Sequence, residues 1–446
     1  MLMVSCYFRF FLILTILQTP VTSYIFAQES QEIDLSQPLS LEQCVQMGLE
    51  NATSIRNARL SLAIQELRVK NSRAGYFPTV TSSGRYDFND RIDFGFEPEN
   101  YDLGLAGRYT LWDNGQREVN HAQAKEGLVA TINRNEGIKQ NLILQITQGY
   151  YDVLKDTELV KVSQEVLARS RENTAQTVIL EELGVLIEAD IATARVREAN
   201  SELSLLNNEN SLQISKATLP RLMGLDPGVL ITVTIDESYQ MYLERGTIEK
   251  IDITVEVAIQ IALENRPEFK ETEAQLKQQE WSLILSKLQR WPRLSANANY
   301  NVNLDDYLRE RDTFSDFRSW SVGASLNFTL FDAGILGNQV KERNMQLEQT
   351  RENASDLERS IALGVRQSYL NLKRSETAVE ISNTQVINAQ KSLDVIEGRY
   401  KVGKAIQLEV LDAQTSYAQA LTNQVNAFYD YKIAHARLQD AMGVLQ

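Results

Sequence analysis

Two copies of one unit make up most of this chain of 446 residues, and the repeat restricts the fold more than any other feature. The stretch YTLWDNGQREVN, beginning at Tyr109, returns in altered form as FTLFDAGILGNQ, beginning at Phe328. Shorter matches flank it on both sides, Leu49-Glu50-Asn51 with Leu263-Glu264-Asn265 and Met223-Gly224 with Met442-Gly443. The copies span roughly 41–225 and 255–446, so we expect both halves to adopt the same series of elements.

Each copy contains two stretches in which apolar and polar residues alternate, the pattern of β-strands with one apolar face. The alternating stretches are Leu294 to Leu304 and Trp320 to Leu330 in the second copy, and Tyr101 to Leu111 with a less regular partner near Val80 to Phe88 in the first. Strands of about ten residues are long enough to cross a bilayer at a tilt. A soluble β-sandwich produces the same alternation, so this pattern alone leaves both possibilities open.

Residues 1–27 predict a secretory signal peptide, with Arg9 before the apolar run FFLILTIL and cleavage after Ala27 or nearer Ser23. The rest of the chain has no run of 18 apolar residues, the length of a membrane-spanning helix. An exported chain without such a helix can cross a membrane only as a β-barrel, and four strands are too few to close one. We therefore expect an oligomer whose chains share a barrel.

A very long helix is predicted after the second strand of each copy. No proline lies between Gly334 and Gly403. Apolar side chains recur there every seven residues, at Val365, Leu372, Val379, Val386, Leu393 and Tyr400. At 1.5 Å per residue this helix would be on the order of 100 Å long, and a sustained heptad indicates packing against another helix. The first copy keeps the spacing at Ile146, Val153, Val160 and Leu167, and loses it past Thr174.

Each long helix is expected to turn and return as a shorter helix. The turns are predicted at Leu183-Gly184-Val185 and Val402-Gly403-Lys404. The predicted segments are the signal peptide (1–27), an N-terminal segment with a first helix (28–75), a strand pair (76–112), a helical hairpin (113–222), an equatorial linker with a β-like run at Ile231 to Ile235 (223–253), a second first helix (254–291), a second strand pair (292–331) and a second hairpin (332–446).

The repeated Asp-small-Gly motif marks the corner between strand and long helix. In the first copy the corner residues are Asp113 and Gly115, and in the second they are Asp332 and Gly334. Aspartate is a preferred N-cap residue, so we expect both aspartates to cap the helices that follow.

The composition argues against nucleic-acid binding and against catalysis. A formal charge of −14 leaves no basic face for phosphates. The two histidines, His121 and His435, have no cysteine or second histidine at ligand spacing, so no metal site is expected. The sequence contains no nucleophile elbow, phosphate loop or dinucleotide fingerprint. We expect neither an enzyme nor a bound cofactor.

The signal peptide, the repeat and the turn sequences LGVLIEADIATA and VGKAIQLEVLDAQ together resemble the TolC-like outer-membrane efflux proteins over essentially the whole mature chain. The segment from Tyr400 to Ala413 is the most specific part. The resemblance implies an α+β membrane protein: a homotrimer with four strands per chain in a twelve-stranded transmembrane β-barrel, continued by a periplasmic barrel of coiled-coil hairpins. It implies a duct in the outer membrane of a Gram-negative-type bacterium, in contact with outer-membrane lipid.

The resemblance also implies partners and a gate. The partners would be a periplasmic adaptor and an inner-membrane pump or ABC exporter, serving tripartite efflux or type I secretion. The residues that match the family's gate are Glu409, Asp412, Tyr400 and Asp190. The residues that match its adaptor-contacting tips are Gly184, Val185, Leu186, Val402, Gly403 and Lys404. Where many members have an arginine two positions after the second tip glycine, this chain has Ala405.

Alternatives remain for the gate and for the whole chain. Glu409 and Asp412 are three residues apart and share a helix face, which on charge pattern alone favours a solvated surface. Under the resemblance they would form two rings of carboxylates at a constriction. A second interpretation of the chain is an exported coiled-coil adhesin or scaffold with a β-rich head. The substrate, whether drug, metal or protein, is not encoded in a recognisable way.

Overall fold

The computed structural model describes residues 37–88, 99–234, 237–248, 250–303 and 318–445, and the predicted signal peptide lies outside these ranges. The first copy contains α1 (Leu41–Asn51), α2 (Thr53–Ala74), β1 (Thr79–Phe88), β2 (Glu99–Trp112), α3 (Gln116–Glu182) and α4 (Glu188–Leu222). A short helix, α5 (Glu237–Arg245), follows. The second copy contains α6 (Val255–Asn265), α7 (Pro267–Leu288), β3 (Arg293–Asn303), β4 (Arg318–Asn327), α8 (Ile335–Lys401) and α9 (Gln407–Ala441). Both copies therefore have the same series of elements.

The four strands form one antiparallel sheet in the order β1-β2-β3-β4, so β2 and β3 join the two copies. Leu105 lies opposite Tyr300, and Tyr300 lies opposite Trp320, which places large apolar side chains on one face. The other face is polar, and there the Asn297 side-chain amide donates a 3.0 Å hydrogen bond to the Ser325 hydroxyl. The expected pattern of one apolar and one polar face is present.

The fourth strand is shorter than the alternation predicted. It ends at Asn327, so Phe328 and Leu330 lie beyond it, and both side chains are exposed in the protomer. The predicted end of β3 at Leu304 lies outside the described residues.

The helices after the strands form two hairpins, each with one long and one short arm. Hairpin 1 consists of α3, with 67 residues, and α4, with 35. Hairpin 2 consists of α8 and α9, which have the same two lengths. At 1.5 Å per residue the long arms measure about 100 Å and the short arms about 50 Å. No helix in the described ranges is long and apolar enough to cross a membrane.

The predicted heptad positions form a buried seam. In α8, Val365, Leu372, Val379 and Leu393 are 0 to 1% exposed, whereas Val386 and Tyr400 are partly buried. The first-copy positions are also buried: Ile146, Val153, Val160 and Leu167. Past Leu167 the buried positions of α3 include the polar residues Asn173 and Thr177, in the region where the apolar spacing lapses.

The first helix of each copy is broken in two, which the sequence-based prediction of single helices did not include. Ala52 separates α1 from α2, and Arg266 separates α6 from α7, both with extended backbone. Arg266 precedes Pro267, which disfavours helical backbone at the preceding residue.

The two breaks explain why the Leu-Glu-Asn and Met-Gly motifs recur in both copies. Gly224 has φ of 79°, and a Cβ there would lie 2.5 Å from the Asn51 carbonyl oxygen. Gly443 has φ of 71°, and a Cβ there would lie 2.9 Å from the Arg266 nitrogen. Each returning helix thus ends on a left-handed glycine pressed against the break in the first helix of its own copy.

The linker differs from the prediction. The β-like run at Ile231 to Ile235 contributes only an isolated bridge between Val233 and Leu39, and Ile235 lies outside the described residues. Helix α5 was not predicted. Its Tyr239 and Tyr242 rings each have their centroids 5.0 Å from that of Phe428 in α9, so the linker adds an aromatic cluster to the buried core.

The strand-to-helix corner of the first copy requires left-handed backbone at two consecutive residues, with φ of 58° at Asn114 and 85° at Gly115. The N-cap is Gly115, so the predicted N-cap role of Asp113 is wrong in position. Asp113 lies two residues earlier, where its carboxylate accepts a 3.2 Å hydrogen bond from the Arg117 backbone amide.

The second corner has the same geometry, with φ of 53° at Ala333 and 85° at Gly334. Here too the glycine is the N-cap and Asp332 precedes it by two residues. The Asp332 carboxylate accepts hydrogen bonds from the amides of Gly334, at 2.9 Å, and Leu336, at 2.7 Å. Each aspartate therefore accepts a hydrogen bond from a backbone amide of the first helical turn, and Asp332 also from the corner glycine. Both do so from outside the helix, because the double left-handed turn displaces them from the N-cap.

Candidate functional site

The predicted tip of hairpin 1 is a tight turn closed by backbone hydrogen bonds. The amide of Gly184, which has φ of 71°, donates to the Glu181 carbonyl at 2.8 Å. The Val185 amide donates to the Leu180 carbonyl at 2.9 Å. This pair of bonds is a Schellman motif, which needs a left-handed residue at the glycine position.

Hairpin 2 ends in the same motif. Gly403, with φ of 69°, donates to the Tyr400 carbonyl at 2.9 Å, and Lys404 donates to the Arg399 carbonyl at 2.8 Å. The Arg399 guanidinium also donates to the Lys404 carbonyl at 3.0 Å, which ties the end of α8 to the turn. Arg399 was not among the predicted site residues.

Apolar side chains at both turns are exposed in the protomer. Val185 and Val402 are exposed, and so are the next turn residues Ile187 and Ile406, whereas Leu186 is half-buried. Exposed apolar groups at a helical tip are available to a partner, since burying them would release water from their surface.

Two of the predicted gate carboxylates take part in starting the returning helices. Asp190 accepts a 3.1 Å hydrogen bond from the Ile187 amide, and Glu409 accepts a 3.3 Å hydrogen bond from the Ile406 amide. Both are at the third helical position, where a carboxylate satisfies a free backbone donor and interacts favourably with the helix dipole. The repeat thus places equivalent carboxylates at equivalent positions of the two tips.

The third carboxylate, Asp412, is paired with a residue that sequence reasoning missed. Nη2 of Arg197, in α4, lies 3.2 Å from Oδ1 of Asp412. Nη1 of Arg197 also donates to the Leu411 carbonyl at 3.0 Å and to the Thr415 hydroxyl at 2.7 Å. One guanidinium of hairpin 1 therefore holds three acceptors of hairpin 2.

Tyr400 lies at the end of α8 and is partly buried. Burial raises the pKa of its phenol, and the negative charge of Asp190 raises it further. Tyr400 and Asp190 therefore lie close enough for an electrostatic interaction between the two hairpins. At neutral pH the phenol is a neutral hydrogen-bond donor.

A second contact between the hairpins is buried, and the sequence analysis did not assign it. The Gln407 side-chain amide donates a 2.6 Å hydrogen bond to the Thr177 hydroxyl, and both residues are buried. Gln407 begins α9 and Thr177 belongs to α3. The only sequence signal was the loss of the apolar heptad past Thr174.

The described part of the chain contains no group of three or more histidine, cysteine, aspartate or glutamate side chains that could hold a metal ion. His121, at the start of α3, instead forms a 2.8 Å hydrogen bond with the Ser72 hydroxyl through Nδ1. A groove of about 970 Å³ lies between α3, α4 and α9, and it is lined by Arg169, Arg197 and Tyr417 among others.

The fold and the tips together define a class of protein. Its members contain two copies of a unit made of a strand pair and a long helical hairpin, and the turns of the hairpins, at the end away from the strands, expose apolar side chains. The sequence pattern of the outer membrane efflux protein family matches residues 44–225 and 258–444. The chain belongs to this family.

Similarities in sequence and in structure to individual proteins support this assignment. The chain is 23% identical over 392 residues to the outer membrane protein TolC of Vibrio cholerae serotype O1, and the match covers 84% of each chain. Among solved structures, CusC superposes with a TM-score of 0.78 at 15% identity, covering 90% of this chain and 92% of CusC. The CmeC outer membrane channel of Campylobacter jejuni superposes with a TM-score of 0.76 at 16% identity, covering 90% and 85%.

The family assignment confirms several sequence-based predictions. The resemblance to TolC-like proteins was correct, and the fold of four antiparallel strands and long helical hairpins per chain is that of outer-membrane channels. The chain is an outer-membrane exit duct for an efflux system, with a periplasmic helical part.

Proposed function

We propose that three copies of this chain assemble into a passive duct. Three sheets of four strands would close a twelve-stranded barrel, and three pairs of hairpins would continue it as a tunnel. The exposed apolar face of the sheet carries this proposal. Trp320 and Val322 are 75% and 73% exposed in the protomer, and a chain alone in water would not keep so many apolar side chains on one sheet face.

The duct, in this proposal, binds no cofactor and catalyses nothing. Transport would be driven by an inner-membrane pump or ABC exporter, joined to the duct by a periplasmic adaptor, in tripartite efflux or type I secretion. The exposed apolar turn residues of both tips, Val185 and Val402, support adaptor contact there, together with Leu186 and Lys404 beside them.

We infer that the gate lies at the tips, where Glu409, Asp412, Tyr400 and Asp190 are found. Movement of the hairpins about Gly184 and Gly403 would widen the tunnel in the manner of an iris. Carboxylates from three chains at a narrow point would favour cations and repel anions. The capping bond of Glu409 uses one of its two oxygens and leaves its charge in place.

A planar-bilayer measurement on the purified protein tests whether three copies form a passive, cation-selective channel. We expect small, cation-selective openings from protein that is extracted from envelopes only by detergent and migrates as a trimer. An adhesin or scaffold with a β-rich head would be released without detergent and would give no openings. A detergent-extracted, folded trimer that never conducts, even with the Glu409→Ala and Asp412→Ala substitutions, would contradict the proposal.

A further inference from the structure

The fourth strand lacks a neighbour that the second strand has. Strand β2 pairs with β1 as far as Arg108, and it continues to Trp112 because β3 lies along its other side. Strand β4 pairs only with β3, and this pairing ends at Asn327, opposite the first residue of β3. The next residues, Phe328 and Thr329, have no strand partner in the described part of the chain. Their sequence keeps the strand alternation, so what they lack is a neighbouring strand.

The outer edge of β1 is the other free edge of the sheet. Strand β1 pairs with β2 on one side only, because the strand order is β1-β2-β3-β4. The backbone donors and acceptors along the edge of a sheet are a template for another strand. Four strands are too few to close a barrel, so β4 cannot pair with the β1 strand of its own chain. The strand that fits the edge of β4 is the β1 strand of a second chain.

The internal repeat predicts the register of that pairing. Thr79 pairs with Arg108 in the first copy of the unit, and Arg293 pairs with Asn327 in the second. These are counterparts, since Thr79 and Arg293 each follow a proline, and Arg108 and Asn327 each precede the repeated stretch. The two strand pairs therefore have the same register. The junction of β2 with β3 is then the template for a junction of β4 with β1 between chains, because each strand is replaced by its counterpart.

We propose that residues 328–331 become the end of β4 when the β1 strand of a neighbouring chain pairs with them, and that Phe328 then lies opposite Ser82 of that chain. The counterparts of these two residues, Tyr109 and Ala296, lie opposite each other within the chain. This inference rests on the proposed assembly of three chains into one barrel, and it adds the alignment of each chain with the next.

Side-chain sizes on the apolar face agree with this register. Leu326 would lie opposite Gly84, and Tyr86 opposite Ala324, so that a large side chain faces a small one in each pair. Both large side chains are exposed in the protomer. A shift by one residue would bring the apolar face of one strand beside the polar face of the other. A shift by two residues would put Tyr86 opposite Leu326 or Val322 and end the matching of large with small.

The polar face supplies pairs that can form hydrogen bonds. In this register Thr329 lies opposite Thr81, and Asn327 lies opposite Ser83. All four side chains are exposed in the protomer. Cross-strand pairs of hydroxyl and amide side chains stabilise a sheet, and the same face already has such a bond between β3 and β4.

The template also contains an irregularity. In β2 the register shifts between Thr110 and Trp112, so Leu111 has no partner of its own in β3. Its counterpart, Leu330, would be the bulged residue at the junction between chains, next to the corner where the long helix begins. The register is therefore best tested at Thr329, on the near side of the bulge.

Disulfide cross-linking in outer-membrane envelopes tests the register. Thr329→Cys is combined in turn with Thr79→Cys, Thr81→Cys or Ser83→Cys, three consecutive positions on the polar face of β1. Directly opposed Cβ atoms are about 4.5–5.5 Å apart and diagonal ones about 7–8 Å, whereas a disulfide needs about 3.5–4.5 Å. On a denaturing gel, we expect Thr81→Cys to give about fivefold more covalently linked chains than either of the other two.

Thr329→Cys alone is the matched control and should give no linked chains, because Cys44 is buried. A higher yield with position 79 or 83 than with position 81 would overturn the register and leave the trimer intact. A disulfide within one chain, or no link in any variant of a protein that has the mass of a trimer, would also overturn it. A monomeric mass in detergent would contradict the proposed assembly itself, and the register with it.

Hydrogen–deuterium exchange of the trimer tests whether residues 328–331 are ordered by the neighbouring chain. The matched segment is 109–112, its counterpart, which pairs with β3 inside the chain. We expect exchange in the two segments to agree within about tenfold, because both would have one strand partner. Exchange in residues 328–331 at the rate of an unstructured peptide, beside protection in residues 109–112, would overturn the pairing.

Discussion

Arg197 of hairpin 1 and Asp412 of hairpin 2 form an ion pair, with 3.2 Å between Nη2 and Oδ1. The negative charge of one of the two predicted carboxylate rings is therefore balanced by a cation of the same chain. Glu409 has no such ion pair among the described residues, because its partner is a backbone amide. If the proposed gate lies at the tips, Glu409 would therefore have the stronger electrostatic influence on a passing ion.

The ion pair predicts that loss of Arg197 leaves the negative charge of Asp412 unbalanced at the proposed gate. In Arg197→Met channels, a trivalent cation such as lanthanum should block at a lower concentration than in the wild type, as measured in planar bilayers. Arg195→Met is the control, because Arg195 is exposed and lies two positions away in the same helix. This substitution removes the same charge without touching the pair with Asp412. Equal effects of the two substitutions would show that the pair with Asp412 has no influence on block.

The tip and equatorial glycines share a left-handed backbone and differ in the space around them. A Cβ added at Gly184 would have no other atom within 4 Å, whereas one added at Gly224 would lie 2.5 Å from the Asn51 carbonyl oxygen. Gly184→Ala should therefore cost about 1 to 2 kcal/mol of unfolding free energy, from backbone strain alone. Gly224→Ala should cost about 2 to 5 kcal/mol, because steric overlap is added.

Urea unfolding of the trimer, followed by circular dichroism, measures both glycine variants. The comparison is internally matched, since both residues end a helix of hairpin 1 and have φ of 71° and 79°. Equal losses of stability would mean that the contact with Asn51 does not constrain the molecule.

The aromatic cluster should anchor α5 to the core. Phe428 is 1% exposed and contacts both Tyr239 and Tyr242, so Phe428→Ala should destabilise the fold by about 3 to 5 kcal/mol. Leu230→Ala is the control in the same linker region, because Leu230 is 88% exposed and should be nearly neutral. Limited proteolysis in the linker, monitored by mass spectrometry, should be faster only for Phe428→Ala. Protection of the linker in that variant would contradict an anchoring role.

Cys44 should be unreactive in the native protein. Its side chain is fully buried, and burial raises the pKa of its thiol from an ordinary value of 9.0 to about 12. The thiolate is the reactive form, so alkylation by iodoacetamide at pH 8 should require unfolding. The raised pKa also means that the native state holds its proton above pH 9 while the unfolded state loses it, so this group's contribution to stability falls as pH rises from 9 towards 12. Rapid labelling of folded trimer would contradict the burial.

The parts of the fold with strict periodicity were predictable. The alternation of β3 and the heptad of α8 each repeat a spacing that only one backbone conformation can satisfy, and the structure has both elements. The displacement of Asp113 from the N-cap was not predictable, because it depends on left-handed backbone at Asn114. Asparagine tolerates this conformation, but most asparagines do not adopt it, so its presence in the sequence does not predict one.

The candidate site was predictable only in part. The turn glycines could be located because a Schellman motif needs a left-handed residue. The carboxylates were named as gate candidates only through the family resemblance, and that role stays a prediction. Arg197 and Gln407 could not be found in this way, since each contacts a residue of the other hairpin more than 200 positions away in the chain. Neither has a local spacing that marks it, and polar residues on a long helix are usually solvated.

The acidic gate is tested by single-channel recording of the wild type beside Glu409→Ala with Asp412→Ala, using a trivalent cation added to the side of the helical tips. If the tips form the constriction, the wild type will be cation-selective and blocked, and the double variant will lose much of both properties and conduct more. Equal selectivity, block and conductance in the two proteins would place the constriction elsewhere in the duct.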